Sequence, residues 1–165
     1  MKPRLFIPSQ KPTRRLVSRQ ARCSGWSIEA AVCFPAERSD SELAKILRSS
    51  RARNSELKVT GALMFYENWF AQILEGAEDA VKHLYEHIKR DARHDSVQLL
   101  KEGVAAHRSF EKWAMAHVGE HGEADIPMIA TAEGLVPAAA WRPTAEQDKQ
   151  LTLLRQATRG YGLGS

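Results

Sequence analysis

The chain has 165 residues, 43% of them hydrophobic, and a formal net charge of +4 at pH 7. This length is sufficient for one compact domain with extensions and too short for two ordinary domains. Because no apolar run reaches the length of a membrane span and the basic N-terminus lacks the apolar segment of a secretory signal, we expect a cytoplasmic protein. Cys23 and Cys33 have no companion cysteines at metal-ligand spacing, which fits reduced thiols.

Positive charge is concentrated at the N-terminus. Seven Lys and Arg residues precede Glu29, the first acidic residue, and without them the formal charge falls from +4 to −3. A basic tail can contact nucleic acid or anionic lipid, but tails of this composition are typically disordered and solvated. We therefore predict a basic, disordered arm at residues 1–24.

The first two elements are a strand and a helix. Alternation of apolar with small or polar residues from Trp26 to Val32 predicts a half-buried strand, which ends before Pro35. Ser39 and Glu42 have the spacing of a capping box at the start of the helix. One stripe of this helix begins apolar and ends polar: Leu43, Ile46, Leu47, Ser50, Arg53 and Asn54. Both fraying into solvent and a binding site are compatible with that change.

A hairpin from Val59 to Gly76 carries the strongest signal of a site. Both faces of its first strand are largely apolar, which predicts a central strand rather than an edge. In its second strand Phe70, Gln72 and Leu74 share a face, because strand side chains alternate. A buried carboxamide without a partner costs about 1–3 kcal/mol, so Gln72 should have a definite partner in the protein or in a ligand.

A second helix follows Gly76 and repeats the change from apolar to polar. Its buried stripe is Val81, Leu84, Tyr85 and Ile88, and the adjacent stripe is Ala80, Leu84, His87 and Asp91. Two helices of this kind are suited to flank one groove. His83 and His87 have the i, i+4 spacing of metal ligands, but no third ligand is evident, so we predict no metal site.

The remaining elements complete one sheet. Strands are predicted at Val97–Leu100 and at Trp113–Val118, where Trp113, Met115 and His117 share a face. The resulting order, strand, helix, strand, strand, helix, strand, strand, predicts an α+β domain with both helices on one face.

The C-terminal part reads as an extension. Gly119 to Asp125 is a polar linker, and Pro127 suits the first position of a short helix that ends near Gly134. Thr144 and Gln147 have capping-box spacing and predict a last helix that stops before Gly160 and covers the free sheet face or a partner.

Five segments occur in the order and spacing of one known family: RSSRARN, VTGAL, FAQILEG, IKRDARH and RSFEKWAM. From about Leu43 to Val118 the chain resembles the BLUF domains, bacterial flavin-binding sensors of blue light. The resemblance implies a ferredoxin-like βαββαββ fold at residues 25–119, with the isoalloxazine ring of FAD between the two helices. Residues 120–165 are then a linker and a helical extension.

The resemblance assigns flavin contacts to seven residues: Arg53, Asn54, Gln72, His87, Asp91, Trp113 and Met115. By this resemblance Asn54 hydrogen-bonds the flavin ring and Gln72 is the glutamine whose hydrogen bonds rearrange in light. Arg53 stands where relatives often have Asn or His. His87 and Asp91 match positions near the ring and its side chain. Trp113 and Met115 match residues whose exchange near the pocket is linked to signalling.

One departure from the family concerns the first strand. Members of the family have a tyrosine there that donates an electron and a proton to the excited flavin through the glutamine. Counting back from Asn54 without gaps places that position near Ala30, and the tyrosines of this chain are Tyr66, Tyr85 and Tyr161. Because the stretch before Ser39 matches the family poorly, a diverged sensor and a mis-assigned start of the reading frame both stay open.

The leading hypothesis is a photoreceptor that binds FAD and signals through protein contacts without catalysis. A degenerate interaction module without a productive photocycle is the alternative, and a nucleic-acid-associated protein that uses the basic arm is a third hypothesis of lower weight. We expect an unidentified protein partner for signal output and keep a homo-oligomer open. Neither membrane association nor nucleic-acid binding is expected.

Overall fold

The computed structural model describes residues 23–32, 39–66, 69–120, 124–132, 134–139 and 141–160. Its elements are β1 (Cys23–Val32), α1 (Ser39–Glu56), β2 (Thr60–Tyr66), β3 (Trp69–Ala77), α2 (Glu78–Arg90), β4 (His94–Val104), β5 (Ala116–Gly119), β6 (Ile126–Thr131), β7 (Gly134–Pro137) and α3 (Ala145–Gly160). The order from β1 to β5 confirms the predicted βαββαββ arrangement and the α+β class.

The strands form one sheet in the order β4-β1-β3-β2-β5-β6-β7. The β2–β5 and β5–β6 pairs are parallel, and all other neighbours are antiparallel. The hairpin strands β2 and β3 therefore lie in the interior of the sheet, as their two apolar faces predicted.

Two hydrophobic cores lie on opposite faces of this sheet. The first core joins α1 and α2 to one face through Leu43, Ile46, Leu47, Val59, Leu63, Phe70, Leu74, Val81, Leu84, Ile88 and Met115. The second core joins α3 to the other face through Ala62, Met64, Ala71, Ile73, Phe110, Ala116, Val118, Ile126, Met128, Leu135, Leu151, Leu154 and Ala157. Both α1 and α2 thus pack on one face, as predicted, and α3 covers the face that they leave free.

The start of α3 is fixed by the predicted capping box. The backbone N–H of Gln147 donates to Thr144 Oγ1 at 3.2 Å, and the backbone N–H of Thr144 donates to Gln147 Oε1 at 3.0 Å. The same Gln147 side chain donates through Nε2 to the carbonyl of Ser109 at 2.9 Å. The buried carboxylate of Glu75 accepts the backbone N–H groups of Ser109 and Phe110, each at 2.9 Å. These bonds connect β3, the segment before β5 and α3.

The predicted short helix from Pro127 to near Gly134 is wrong, because this segment forms the antiparallel β6–β7 hairpin. Ile126 and Met128 are buried at the period of two that is typical of a strand, and β6 extends the sheet by pairing with β5. Gly134 has a φ of 105°, a conformation that favours glycine where the chain turns.

Several element ends also differ from the predictions. The first strand begins at Cys23 rather than near Trp26, and α3 includes Gly160. Apart from the start of β1, the predicted basic arm lies outside the described residues. The helices of the described part of the chain include none that is long and apolar enough to cross a bilayer.

Gly61 lies in β2, where the backbone of β3 leaves no room for a side chain. A Cβ atom added there would lie 1.9 Å from the backbone oxygen of Ile73. We expect Gly61→Ala to destabilise the fold by about 3 kcal/mol or more, because the obstructing atom belongs to a central strand and has little freedom to move. Urea unfolding followed by circular dichroism measures the loss.

Gly103 provides the matched control for this substitution. A Cβ atom at Gly103, in the edge strand β4, meets none of the described atoms within 4 Å, so Gly103→Ala should change the free energy of unfolding by less than about 1 kcal/mol. Equal urea midpoints for the two variants would contradict the contact at Gly61.

Candidate functional site

A buried carboxamide lies at the C-terminal end of α1. Asn54 is fully buried, and its Nδ2 donates to the backbone carbonyl of Ala114 at 2.7 Å. Its backbone carbonyl accepts the N–H of Val59 at 2.8 Å, which fixes the turn into β2. Asn54 Oδ1 is buried and has no hydrogen-bond partner among the described residues. Since an unsatisfied buried acceptor costs about 1–3 kcal/mol, it indicates a ligand that carries a donor.

A second buried carboxamide lies on the same side of the sheet. Gln72 is 5% exposed and stands between Phe70 and Leu74, which both belong to the first core, as the alternation predicted. Its Nε2 donates to the Met115 sulfur at 3.7 Å. A thioether is a weak acceptor, so a ligand oxygen would be a stronger partner for this amide group.

The segment just before β5 brings these groups together. Asn54 bonds the backbone of Ala114, Gln72 bonds the Met115 side chain, and Arg51 Nε donates to the Met115 carbonyl at 3.0 Å. Arg51 is not among the predicted site residues. It stands three residues before Asn54, so the two side chains lie on the same side of α1. This spacing is the feature of the sequence that could have indicated Arg51.

Met115 and Trp113 lie on opposite sides of the sheet. Met115 is buried in the first core, whereas Trp113 is half-buried against the second core, with its ring centroid 6.5 Å from that of Phe110. The prediction that both share a face is wrong, because regular strand structure begins only at Ala116. The backbone N–H of Trp113 instead donates to the Phe110 carbonyl in a turn, and strand alternation does not apply there.

Of three further predicted site residues, one is exposed without a contact described for its side chain and two contact neighbouring residues. The Arg53 side chain is exposed on α1. His87 is exposed on α2, and its ring meets that of His83 edge-on with centroids 4.8 Å apart. Asp91 accepts the backbone N–H of Arg93 at 3.0 Å and its side-chain Nε at 2.9 Å, and this carboxylate raises the pKa of the Arg93 guanidinium. The roles of Arg53, His87 and Asp91 toward a flavin stay predictions.

The His83–His87 spacing is realised on one helix face, but the described residues contain no group of three or more His, Cys, Asp or Glu placed to hold a metal ion. The pair therefore carries no metal assignment.

The two buried side chains at the centre of the site, Asn54 and Gln72, are uncharged carboxamides. Two carboxamides supply donors and acceptors inside an apolar core, a combination suited to a flat heteroaromatic ring with alternating carbonyl and N–H groups. Residues 31–116, which include both carboxamides and Met115, match the family model described as sensors of blue light using FAD. The chain belongs to the BLUF family. This result agrees with the family resemblance of the five sequence segments.

The BLUF match begins at Ala31, near the end of β1. Ala30, the position expected for the family tyrosine, lies just outside the match. The absence of a tyrosine equivalent therefore stays a prediction.

Known BLUF proteins include much longer chains. The photoactivated adenylate cyclase subunit beta of Euglena longa is 33% identical over 89 residues, which are 53% of this chain and 10% of that protein. The present chain therefore corresponds to a small part of that relative.

Solved structures have the same fold. A structure of BlsA in its photo-activated state has a TM-score of 0.57 at 27% identity and covers 60% of this chain and 71% of that one. A bacterial light-regulated adenylyl cyclase has a TM-score of 0.58 at 22% identity and covers 86% of this chain and 35% of the cyclase. The match to the cyclase covers 86% of this chain, whereas residues 1–116 make up about 70% of it. The shared fold therefore extends past residue 116, where the BLUF match ends.

Proposed function

We propose that this protein senses blue light with FAD bound against Asn54 and Gln72, and that it signals to a partner protein without catalysing a reaction. The family assignment gives the cofactor and the class of signal. Asn54 Oδ1 is buried and accepts no hydrogen bond from the part of the chain that the structure describes, and this observation carries the assignment of the ring site to these residues.

The flavin ring has an edge on which one N–H lies between two carbonyl groups. Asn54 Oδ1 is an acceptor suited to that N–H, and Gln72 Nε2 is a donor suited to a ring oxygen or nitrogen. Neither side chain carries charge, so the neutral ring would enter the first core without the penalty of burying an unpaired ion beside it. The side chains present therefore fit the cofactor of the family.

When bound, FAD supplies the absorption of blue light and, once excited, a site that takes up an electron and a proton. Gln72 supplies a movable hydrogen-bonding group, because rotation of its carboxamide exchanges a donor for an acceptor. Its bond to the Met115 sulfur is weak and can be exchanged at little cost. A change at Gln72 would then alter the packing of Met115 and the segment that enters β5.

The output in this proposal is a protein contact. Beyond the BLUF match the described chain holds β6 and β7, which extend the sheet, and α3, which packs on it. A partner that reads this extension, or the face near Met115, would receive the signal. Nucleic acid has no role in the proposal.

The test is the colour of the purified protein. We expect it to be yellow, with a flavin absorption band in the blue and about equimolar FAD released on heating, since one site per chain is proposed. Chromatography of the released cofactor distinguishes FAD from FMN. A protein that is colourless and remains so after incubation with FAD would overturn the proposed function.

A further inference from the structure

The Arg51 side chain joins three parts of the chain. Its Nε donates to the Met115 carbonyl at 3.0 Å, and its Nη2 contacts Asp125 Oδ2 at 2.7 Å. The same Asp125 oxygen accepts the backbone N–H of His117 at 2.7 Å. One carboxylate oxygen thus contacts both α1 and the start of β5. We call this group the clamp: it consists of the Arg51 and Asp125 side chains and their bonds to Met115 and His117.

The clamp lies at a junction between the site and the extension. Met115 carries the sulfur that Gln72 contacts, and Asp125 immediately precedes Ile126, the first residue of β6. Displacement of the Met115 carbonyl would move the guanidinium that is hydrogen-bonded to it through Nε and, through Nη2, shift Asp125. A change at Gln72 therefore has a short covalent and hydrogen-bonded path to β6.

The clamp contributes little to stability. The Arg51 and Asp125 side chains are 45% and 29% exposed, and ion pairs that are this accessible typically contribute between zero and about 1 kcal/mol. Its specific feature is geometry, because a planar guanidinium can hold a carbonyl and a carboxylate in fixed directions at the same time.

We propose that Arg51 and Asp125 are positioning residues, which hold Met115 against Gln72 and transmit its displacement to the β6–β7 hairpin. The proposal rests on the proposed function for its physiological meaning, whereas the connection itself is a property of the chain without cofactor. Arg51 sets the direction of the Met115 carbonyl, and Asp125 fastens the start of β5 to the start of β6.

A second route joins the same parts. The parallel pairs Ala62–Ala116 and Val118–Ile126 link β2, β5 and β6 through the sheet itself. The decisive experiment must separate this ladder from the clamp.

Methionine methyl groups provide the reporters. The chain has four methionines, of which Met115 lies at the site, Met128 lies in β6 and Met64 lies in β2. Labelling the full chain with ¹³C-methyl methionine gives one resonance for each, assigned by single Met→Leu variants. The perturbation is Gln72→Leu, which removes the donor to the Met115 sulfur.

We expect Gln72→Leu to move the methyl resonances of both Met115 and Met128. In an Asp125→Asn background it should still move Met115, while the shift of Met128 falls by about half or more, because a charge-assisted hydrogen bond is roughly twice as strong as a neutral one. Asn leaves one neutral oxygen where the carboxylate oxygen accepts from both Arg51 and His117, so the charge-assisted bond to Arg51 is lost. A Met128 shift of the same size in both backgrounds would assign transmission to the sheet and overturn the proposal.

Two further variants guard this result. Arg51→Lys keeps the charge, but its single nitrogen cannot reproduce both bonds, so it should act like Asp125→Asn and serves if that variant fails to fold. Lys149→Gln breaks the exposed Lys149–Glu146 pair on α3 and should leave the transmission to Met128 unchanged. Urea midpoints equal to wild type show that any lost shift is not partial unfolding.

The outcome is independent of flavin. A colourless protein in which Met128 still depends on Asp125 would retain the clamp and remove the assignment of FAD. A yellow protein in which the Met128 shift does not depend on Asp125 would support the assignment of FAD and overturn the role of the clamp.

Discussion

Asn54→Leu is expected to weaken FAD binding roughly 5- to 150-fold, because a ring N–H left without an acceptor in a buried site costs about 1–3 kcal/mol. Titration of the apoprotein with FAD, followed by the quenching of flavin fluorescence, measures the loss. Leu has a similar volume and fills the space of the carboxamide, so the change removes polar atoms rather than bulk.

The stability of the apoprotein should change little in this variant. Asn54→Leu removes one buried, unpartnered acceptor and at the same time leaves the Ala114 carbonyl without its donor at 2.7 Å. The two effects are of similar size and opposite sign. A large fall in affinity with an unchanged urea midpoint would therefore identify Asn54 as a ligand-binding residue that the fold alone does not require.

Arg48→Gln is the matched control on the same helix. The Arg48 side chain is exposed and is not among the predicted flavin contacts, so its truncation should leave the affinity for FAD within about twofold of wild type. If Arg48→Gln weakened FAD binding as strongly as Asn54→Leu, the site would extend along the solvent side of α1 and the centre assigned to the two carboxamides would be wrong.

Blue light is expected to leave the flavin band of the wild type without a long-lived red shift, so the light signal of this chain would come from excitation or photoreduction of the flavin. The family resemblance places the required donor of an electron and a proton at Ala30, and an alanine side chain can supply neither. Gln72 can still bind the ring, so the defect should appear in the light reaction and not in affinity. A light-minus-dark difference spectrum of the flavin-loaded protein tests this directly.

Ala30→Tyr should restore the red-shifted state. The Cα of Ala30 pairs with Phe70 and that of Ile28 pairs with Gln72, so position 30 is diagonal to Gln72 on the same face of the sheet. Diagonal neighbours are about 7–8 Å apart, within reach of an aromatic side chain. A tyrosine at this position could therefore hydrogen-bond the glutamine.

Ala31→Tyr is the control, because Ala31 pairs with Trp69 and belongs to the opposite face. It adds the same side chain one residue away and should leave the wild-type spectrum unchanged. A reversible red shift in the wild type would show that another residue acts as donor and that the alignment of the first strand is wrong.

Local periodicity singled out the two carboxamides of the candidate site, although for Asn54 it left fraying and a binding site both open. Gln72 was visible because it interrupts an apolar row of period two, and Asn54 because it ends an apolar stripe of helical period. Both patterns depend only on the spacing of residues within one element, so they can be recognised from the sequence without knowledge of the fold.

Contacts between distant elements were not predictable in this way. Arg51 and Asp125 are 74 residues apart, and neither belongs to a motif that implies the other. Trp113 was assigned to the wrong face because alternation was extended three residues ahead of the true start of β5 at Ala116. The segment after Pro127 fits a short helix by its end signals, but pairing with β5 buries Ile126 and Met128 and favours the hairpin.

Gln147 uses one carboxamide for two purposes, since its oxygen caps the first turn of α3 and its nitrogen bonds the Ser109 carbonyl. Initiation of the helix and its attachment to the domain are therefore not separate events. A partner that lifted α3 from the sheet would also disturb the first turn, unless it offered Gln147 a carbonyl in place of Ser109. We therefore expect α3 to have two states: one in which it is docked on the sheet with its first turn formed, and one in which it is released and its first turn is frayed.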